Sequence, residues 1–199
     1  MSLRFDYNNN TYLWIPVTRT ATTSLNTALW KNHHIDFDFA YANEVQDREA
    51  QYPMTYHHVT YDETVEFTST DGTETYFSVV RNPLDRCVSL FNYMKWKGWC
   101  ATQTFSEYWT AIINERTHTS DVAPGARTTR LQKDIVNTSG TIYKFETDLL
   151  QLQSDFGVTM EVENEKDNVV SDEEKEAART IIETYFNDDY VEFGYTKGN

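Results

Sequence analysis

The run TETYFSVV (73–80) passes without a linker into RNPLDRCVSLF (81–91). An alternating stretch rich in β-branched and aromatic residues, placed just after the turn dipeptide Asp71-Gly72, specifies a strand. Three signals then specify a helix start: Asn82 as N-cap, Pro83 at the first helical position and Asp85 in the first turn. A strand feeding directly into a helix leaves few architectures, because the helix must fold back onto a sheet. The arrangement recurs. TYLWIPV (11–17) reads as a short buried strand, and helix 22–32 after it buries Leu25, Ala28 and Leu29 at helical spacing. TIYKFE (141–146) is a further strand, with helix 147–156 behind it and Gly157 as its stop. Strand–helix alternation points to an α/β fold, a central mostly parallel sheet flanked by helices, which binds ligands beyond the carboxyl ends of its strands.

Two capping boxes mark further helices, Thr104–Glu107 opening one to about Arg116 and Ser171–Glu174 opening one through about Phe186. TYHHVTYDE (55–63) reads as a strand or a strand-edge loop. No repeat or linker divides the 199 residues, so residues 1–199 are expected to form a single domain. The net charge of −14 argues against nucleic acid or an anionic membrane surface as partner. The excess is uneven: residues 151–199 carry 13 acidic and 4 basic side chains. Cys87 and Cys100 make no disulfide framework. A polar start and the lack of an apolar run of membrane-spanning length give a cytoplasmic expectation.

Chemistry concentrates at two of the strand-to-helix junctions. Between strand 11–17 and helix 22–32 lies TRTATTS (18–24), five hydroxyl residues and one arginine. A helix N-terminus carries unpaired N–H groups and a partial positive charge, and so attracts anions. Thr20, Thr22, Thr23 and Ser24 add hydroxyls there, and Arg19 a guanidinium suited to phosphate oxygens. Thr and Ser are equally ordinary N-caps, and a loop arginine is often only a surface charge. The glycines and lysine of a Walker A loop are absent, which counts against an ATPase or kinase. At the second junction, Arg81 leaves its strand where helix amides emerge, and Ser89 lies two turns into the helix. Taken alone, Arg81 would serve as well in an ion pair with Asp85.

Together these residues resemble the sulfotransferases that use 3′-phosphoadenosine-5′-phosphosulfate (PAPS). RNPLDRCVS (81–89) matches the family's 3′-phosphate motif, R-[DN]-P-x-[DE]-R-x-x-S, at every specified position. The resemblance assigns Arg81 and Ser89 to the ribose 3′-phosphate. RTATTS (19–24) is similar to the family's 5′-phosphosulfate loop, K-T-G-x-T-S, with Arg19 at the lysine position and Ala21 at the glycine position. Val17 and Thr18 are two extra residues after Pro16. Arginine grips by a planar fork rather than as a compact ammonium. Alanine at the glycine position implies a backbone that does not need positive φ. IYKFETDLLQLQSDFGV (142–158) resembles the family's Phe/Tyr-Glu-Asp-Leu segment with Thr147 inserted, and YFNDDYVEFGY (185–195) the tail of the carbohydrate-type branch.

The resemblance implies a P-loop NTPase-like sulfotransferase fold, PAPS as sulfuryl donor with 3′,5′-ADP as product, and an acceptor hydroxyl on a saccharide or small molecule. It assigns Arg19, Thr20, Ala21, Thr22, Thr23 and Ser24 to the 5′-phosphosulfate, with Arg19 also catalytic, and needs no metal. A base must take the acceptor's proton, and histidine titrates near neutral pH. YHHVTYD (56–62) resembles the Gly-His-x-x-[FY] segment of the carbohydrate-type branch, which places the base at His58 with His57 at the glycine position. Adjacent strand residues point to opposite faces, and paired histidines are also ordinary surface or core residues. Of the other histidines, His33-His34 lacks the spacing and cysteines of a zinc site. APGARTTRLQKD (123–134) sets Arg127, Arg130 and Lys133 where related enzymes have a closing loop, which assigns Arg130 to the nucleotide; a solvated surface loop is the other reading. NYMKWKGWC (92–100) is read first as helix-end core packing and second as an aromatic wall for a sugar. The rival functions are a P-loop nucleotide kinase or phosphotransferase, and a nucleotide-binding protein without catalysis.

Overall fold

The computed structural model describes residues 3–33, 61–62, 72–116, 129–161 and 168–198. It is α/β, with a four-stranded, mostly parallel sheet and flanking helices. The chain groups into two compact units, Met1–Val80 with Arg127–Glu163, and Arg81–Ala126 with Asn164–Asn199.

The first unit holds the sheet: β1 (Leu3–Tyr7), β2 (Asn10–Trp14), β3 (Thr75–Val80) and β4 (Thr141–Lys144), in that spatial order. β2 pairs with β3 and β3 with β4 in parallel, while β1 pairs antiparallel with β2. β1 lies in a segment whose polarity gave no strand signal. Its hairpin is closed by Asn8 and Asn9, both at positive φ (48° and 62°), the two-residue turn whose twist matches paired strands. The expected strand 11–17 leaves the ladder after Trp14. Ile15 still donates its N–H to Phe77 O at 3.0 Å, but Pro16 has no N–H to continue.

Strand alternation sends Trp14, Phe77, Val79 and Tyr143 into one apolar cluster. There they meet Leu25, Ala28 and Leu29 of α1 (Thr22–His33) and Leu152 of α4 (Leu149–Asp155). Leu13 and Val80, on the opposite strand faces, are equally buried, as expected of parallel strands covered on both sides. α4 begins later than the expected 147, because Asp148 folds into a turn: its Oδ2 accepts from the Lys144 N–H at 2.8 Å and its Oδ1 from the Thr147 hydroxyl at 2.8 Å. It ends as expected at Gly157, whose φ of 57° permits a Schellman closure with Val158 N–H bonding Gln153 O at 2.9 Å. Tyr61 and Asp62 are helical, and Tyr61 N–H bonds Ile135 O at 2.7 Å. At these two residues the 55–63 segment is therefore neither strand nor loop, and the rest of it lies outside the described residues.

The second unit is helical: α2 (Pro83–Trp96), α3 (Phe105–Arg116), α5 (Asp172–Tyr185) and α6 (Asn187–Glu192). Both capping boxes form. Thr104 and Glu107 exchange bonds of 2.8 and 3.2 Å, and Ser171 and Glu174 bonds of 3.3 and 3.2 Å. α5 packs on α2 and α3 through the fully buried Ala178 and Ile182. Aromatic edges lock the rest, with Phe91–Phe105 centroids at 5.4 Å and Trp109–Phe186 at 5.9 Å. α6 is a short helix of six residues that the sequence pattern did not announce.

Core packing does not describe the end of α2. Met94 and Cys100 are buried, but Trp96 and Trp99 are 57% and 61% exposed. The expectation for NYMKWKGWC is corrected accordingly. The helix closes through Gly98 at φ 76°, and this turn carries Trp99 outward.

Candidate functional site

β2 and β3 are adjacent and parallel, so the chain leaves both at the same end of the sheet. At the first exit, Val17 is fully buried and its carbonyl accepts two hydroxyls, Thr20 Oγ1 at 2.7 Å and Thr22 Oγ1 at 2.9 Å. Those hydroxyls are thereby turned to the strand end rather than used as helix caps. The first intrahelical bond of α1 runs from Leu25 N–H to Ala21 O at 2.9 Å, which puts Ala21, with no side chain able to cap, at the N-cap. The ordinary-cap explanation of this Thr/Ser run therefore fails for Thr20 and Thr22.

The backbone here is unusual. Arg19 has φ 68° and Ala21 φ 63°, with no positive φ at Thr18, Thr20 or Thr22. The expectation that alanine marks a loop without positive φ is overturned. The left-handed turn is kept, and a non-glycine residue bears a strain of roughly 1–2 kcal/mol. Alternation of ordinary and left-handed residues is the backbone pattern found in nests, whose successive N–H groups cradle anions. The loop leads into the N-terminus of α1, the positive end of the helix dipole. Thr20 and Ser24 are buried, Thr23 is exposed, and Arg19, Ala21 and Thr22 are half-buried. Arg19–Ser24 thus form one continuous loop and helix start in the first unit.

The second exit obeys every local rule. Asn82 Oδ1 accepts from the N–H groups of Leu84 at 3.0 Å and Asp85 at 3.4 Å, and Pro83 stands at the first helical position. Leu84, Cys87, Val88 and Phe91 are buried, while Asp85 is exposed and Ser89 half-buried one turn further on the same face. Ser89 lies about 9 Å along the axis from Pro83. Arg81 is half-buried at the strand's end.

Arg86, the second arginine of the motif, is buried, as is Asp189 of α6. Both bear electrostatically on Cys87, whose thiol burial pushes well above the ordinary range; Arg86 opposes that shift and Asp189 adds to it. Arg86 is thus part of the interior of the second unit. Nothing in the sequence pattern separated it from Arg81, and Asp189 carried no signal beyond its place in the tail segment.

Arg130 is half-buried in the first unit, just ahead of a short 3₁₀ turn at Gln132–Asp134. His58, His57, His118 and Arg127 lie outside the described residues. His33 is occupied elsewhere: Nε2 bonds the Phe156 carbonyl and its ring lies 4.7 Å from that of Tyr7. Among the described residues, no group of three or more His, Cys, Asp or Glu is placed to hold a metal ion, and no helix is long and apolar enough to cross a membrane. Comparison with family models, with curated proteins and with solved structures returned no match.

Proposed function

We propose that the protein is a PAPS-dependent sulfotransferase acting on an acceptor hydroxyl, in which the Arg19–Ser24 loop receives the 5′-phosphosulfate and Arg81 with Ser89 the 3′-phosphate. The observation that carries this reading is the pair of left-handed residues at Arg19 and Ala21. Strain of this kind persists where the conformation itself is needed, and an amide cradle at a helix N-terminus is suited to an anion. The full match of RNPLDRCVS to the 3′-phosphate motif supports the same nucleotide. A P-loop-like arrangement, with His58 as base, belongs to this proposal.

Transfer breaks the bond between sulfur and the phosphate oxygen and forms one to the acceptor oxygen. The acceptor's proton passes to His58. Charge left on the departing phosphate is met by the loop amides and Arg19, so the protein's part is positioning and electrostatic stabilisation. The acceptor class the resemblance favours is a saccharide.

Thermal-shift titration of the full chain with 3′,5′-ADP, ATP and AMP, followed by transfer from radiolabelled PAPS to an acceptor panel, tests the proposal. Preferential stabilisation by 3′,5′-ADP and labelled product are expected. Preference for ATP would replace this reading with a kinase, and 3′,5′-ADP binding without transfer to any acceptor would leave a nucleotide-binding protein.

A further inference from the structure

The exposed end of α2 stands out in a strongly acidic chain. Between Cys87 and Ser106 there are two lysines, Lys95 and Lys97, and no acidic residue, although the whole chain has 31. Glu107, the next acid along the chain, is committed to the Thr104 N–H at 2.8 Å. This basic island carries three aromatic rings. Tyr93 lies 5.9 Å from Trp96 and 6.4 Å from Trp99, the latter nearly perpendicular at 87°. Lys97 Nζ sits 4.5 Å from the Trp96 centroid and 5.7 Å from that of Tyr93.

Hydrogen bonds close the backbone that carries these rings. Gly98 at φ 76° lets Trp99 N–H bond Met94 O at 3.0 Å and Gly98 N–H bond Lys95 O at 2.9 Å, the two bonds of a Schellman closure. Lys95 Nζ bonds Ala101 O at 2.9 Å and ties the following turn back to the helix. Rings fixed in advance lose little entropy when a ligand stacks on them. Two indoles more than half exposed within four residues place apolar surface at the end of α2.

We infer that Tyr93, Trp96, Trp99 and Lys97 form a binding surface for an acidic oligosaccharide. The C–H faces of sugar rings stack on indole faces, and a uronate carboxylate or sulfate ester pairs with the lysine ammonium. This surface lies within the second unit and does not rest on the transfer reading.

Calorimetric titration of the full chain with hexagalacturonate, without PAPS, tests it, with maltohexaose, phosphatidylcholine–phosphatidylserine vesicles and sedimentation velocity as comparators. Hexagalacturonate binding is expected that weakens about tenfold or more in Trp96→Ala and in Trp99→Ala. Lys97→Gln should weaken the uronate and flatten its salt dependence without changing the signal of the neutral hexamer. Far-UV circular dichroism and the thermal unfolding midpoint without any ligand should be the same in all three variants, which shows they are folded. No hexagalacturonate binding, equal binding by the tryptophan variants, or tryptophan-dependent binding of vesicles or self-association instead, would each overturn the inference.

Discussion

The two junctions reach a helix start by opposite means. At Asn82–Pro83 every local preference agrees, with a side-chain cap, a proline and an early acid. At Arg19–Ser24 local preferences are violated: two non-glycine residues are left-handed and the N-cap is an alanine. The comparison teaches that the first loop's backbone shape is what the protein keeps, while at the second junction the shape is ordinary and any specificity rests on the side chains of Arg81 and Ser89. In the function proposed above, the loop amides recognise a charge, and the Arg81 guanidinium with the Ser89 hydroxyl recognises where that charge sits on the nucleotide.

The largest expected effect tests whether chemistry accompanies the two junctions at all. His58→Ala should lower transfer by about 10²–10⁴-fold while 3′,5′-ADP affinity is retained. If His57→Ala does this instead, the base is one residue earlier. Next, Arg81→Ala should cut 3′,5′-ADP affinity by about 10- to 100-fold and leave AMP nearly unaffected, the loss of a charge-assisted hydrogen bond. Equal loss for both nucleotides would dissolve the division of labour between the junctions.

Stability separates them in sign. Asn82→Ala should lower unfolding free energy by about 1 kcal/mol, because two first-turn N–H groups lose their acceptor. Ala21→Gly should raise it by up to about 1 kcal/mol, the left-handed strain relieved less the entropy of glycine. Urea unfolding measures both, and a destabilising Ala21→Gly would remove the claim that the loop is strained. The smallest effect is on the acid side. The Lys144 N–H and the Thr147 hydroxyl hold the Asp148 carboxyl below its ordinary value. A depressed folded-state pKa contributes stability above the unfolded value and loses it as pH falls through the folded one. Stability should therefore decline below about pH 4, and less so in Asp148→Asn.

Much of the chain was legible because its signals are short-ranged. The two capping boxes, the Asn82 cap and the Gly157 stop each depend on residues within a turn of one another, and all form. Of the candidate site, the loop and the motif helix were legible as segments, and the structure brings the Thr20 and Thr22 hydroxyls to the Val17 carbonyl. β1 was not legible, since a polar edge strand earns its place only by pairing with β2. The motif alone did not distinguish Arg86, buried in the second unit, from Arg81, half-buried at its surface.

Element boundaries, caps and turn positions were settled by neighbours along the chain, whose hydrogen bonds close within a few residues. Tertiary folding decided the place of β2 beside β3 and the burial of Arg86 together with Asp189. Those outcomes depend on what each residue meets from distant parts of the chain, and the energy of a buried charge is set there, not by the residues on either side.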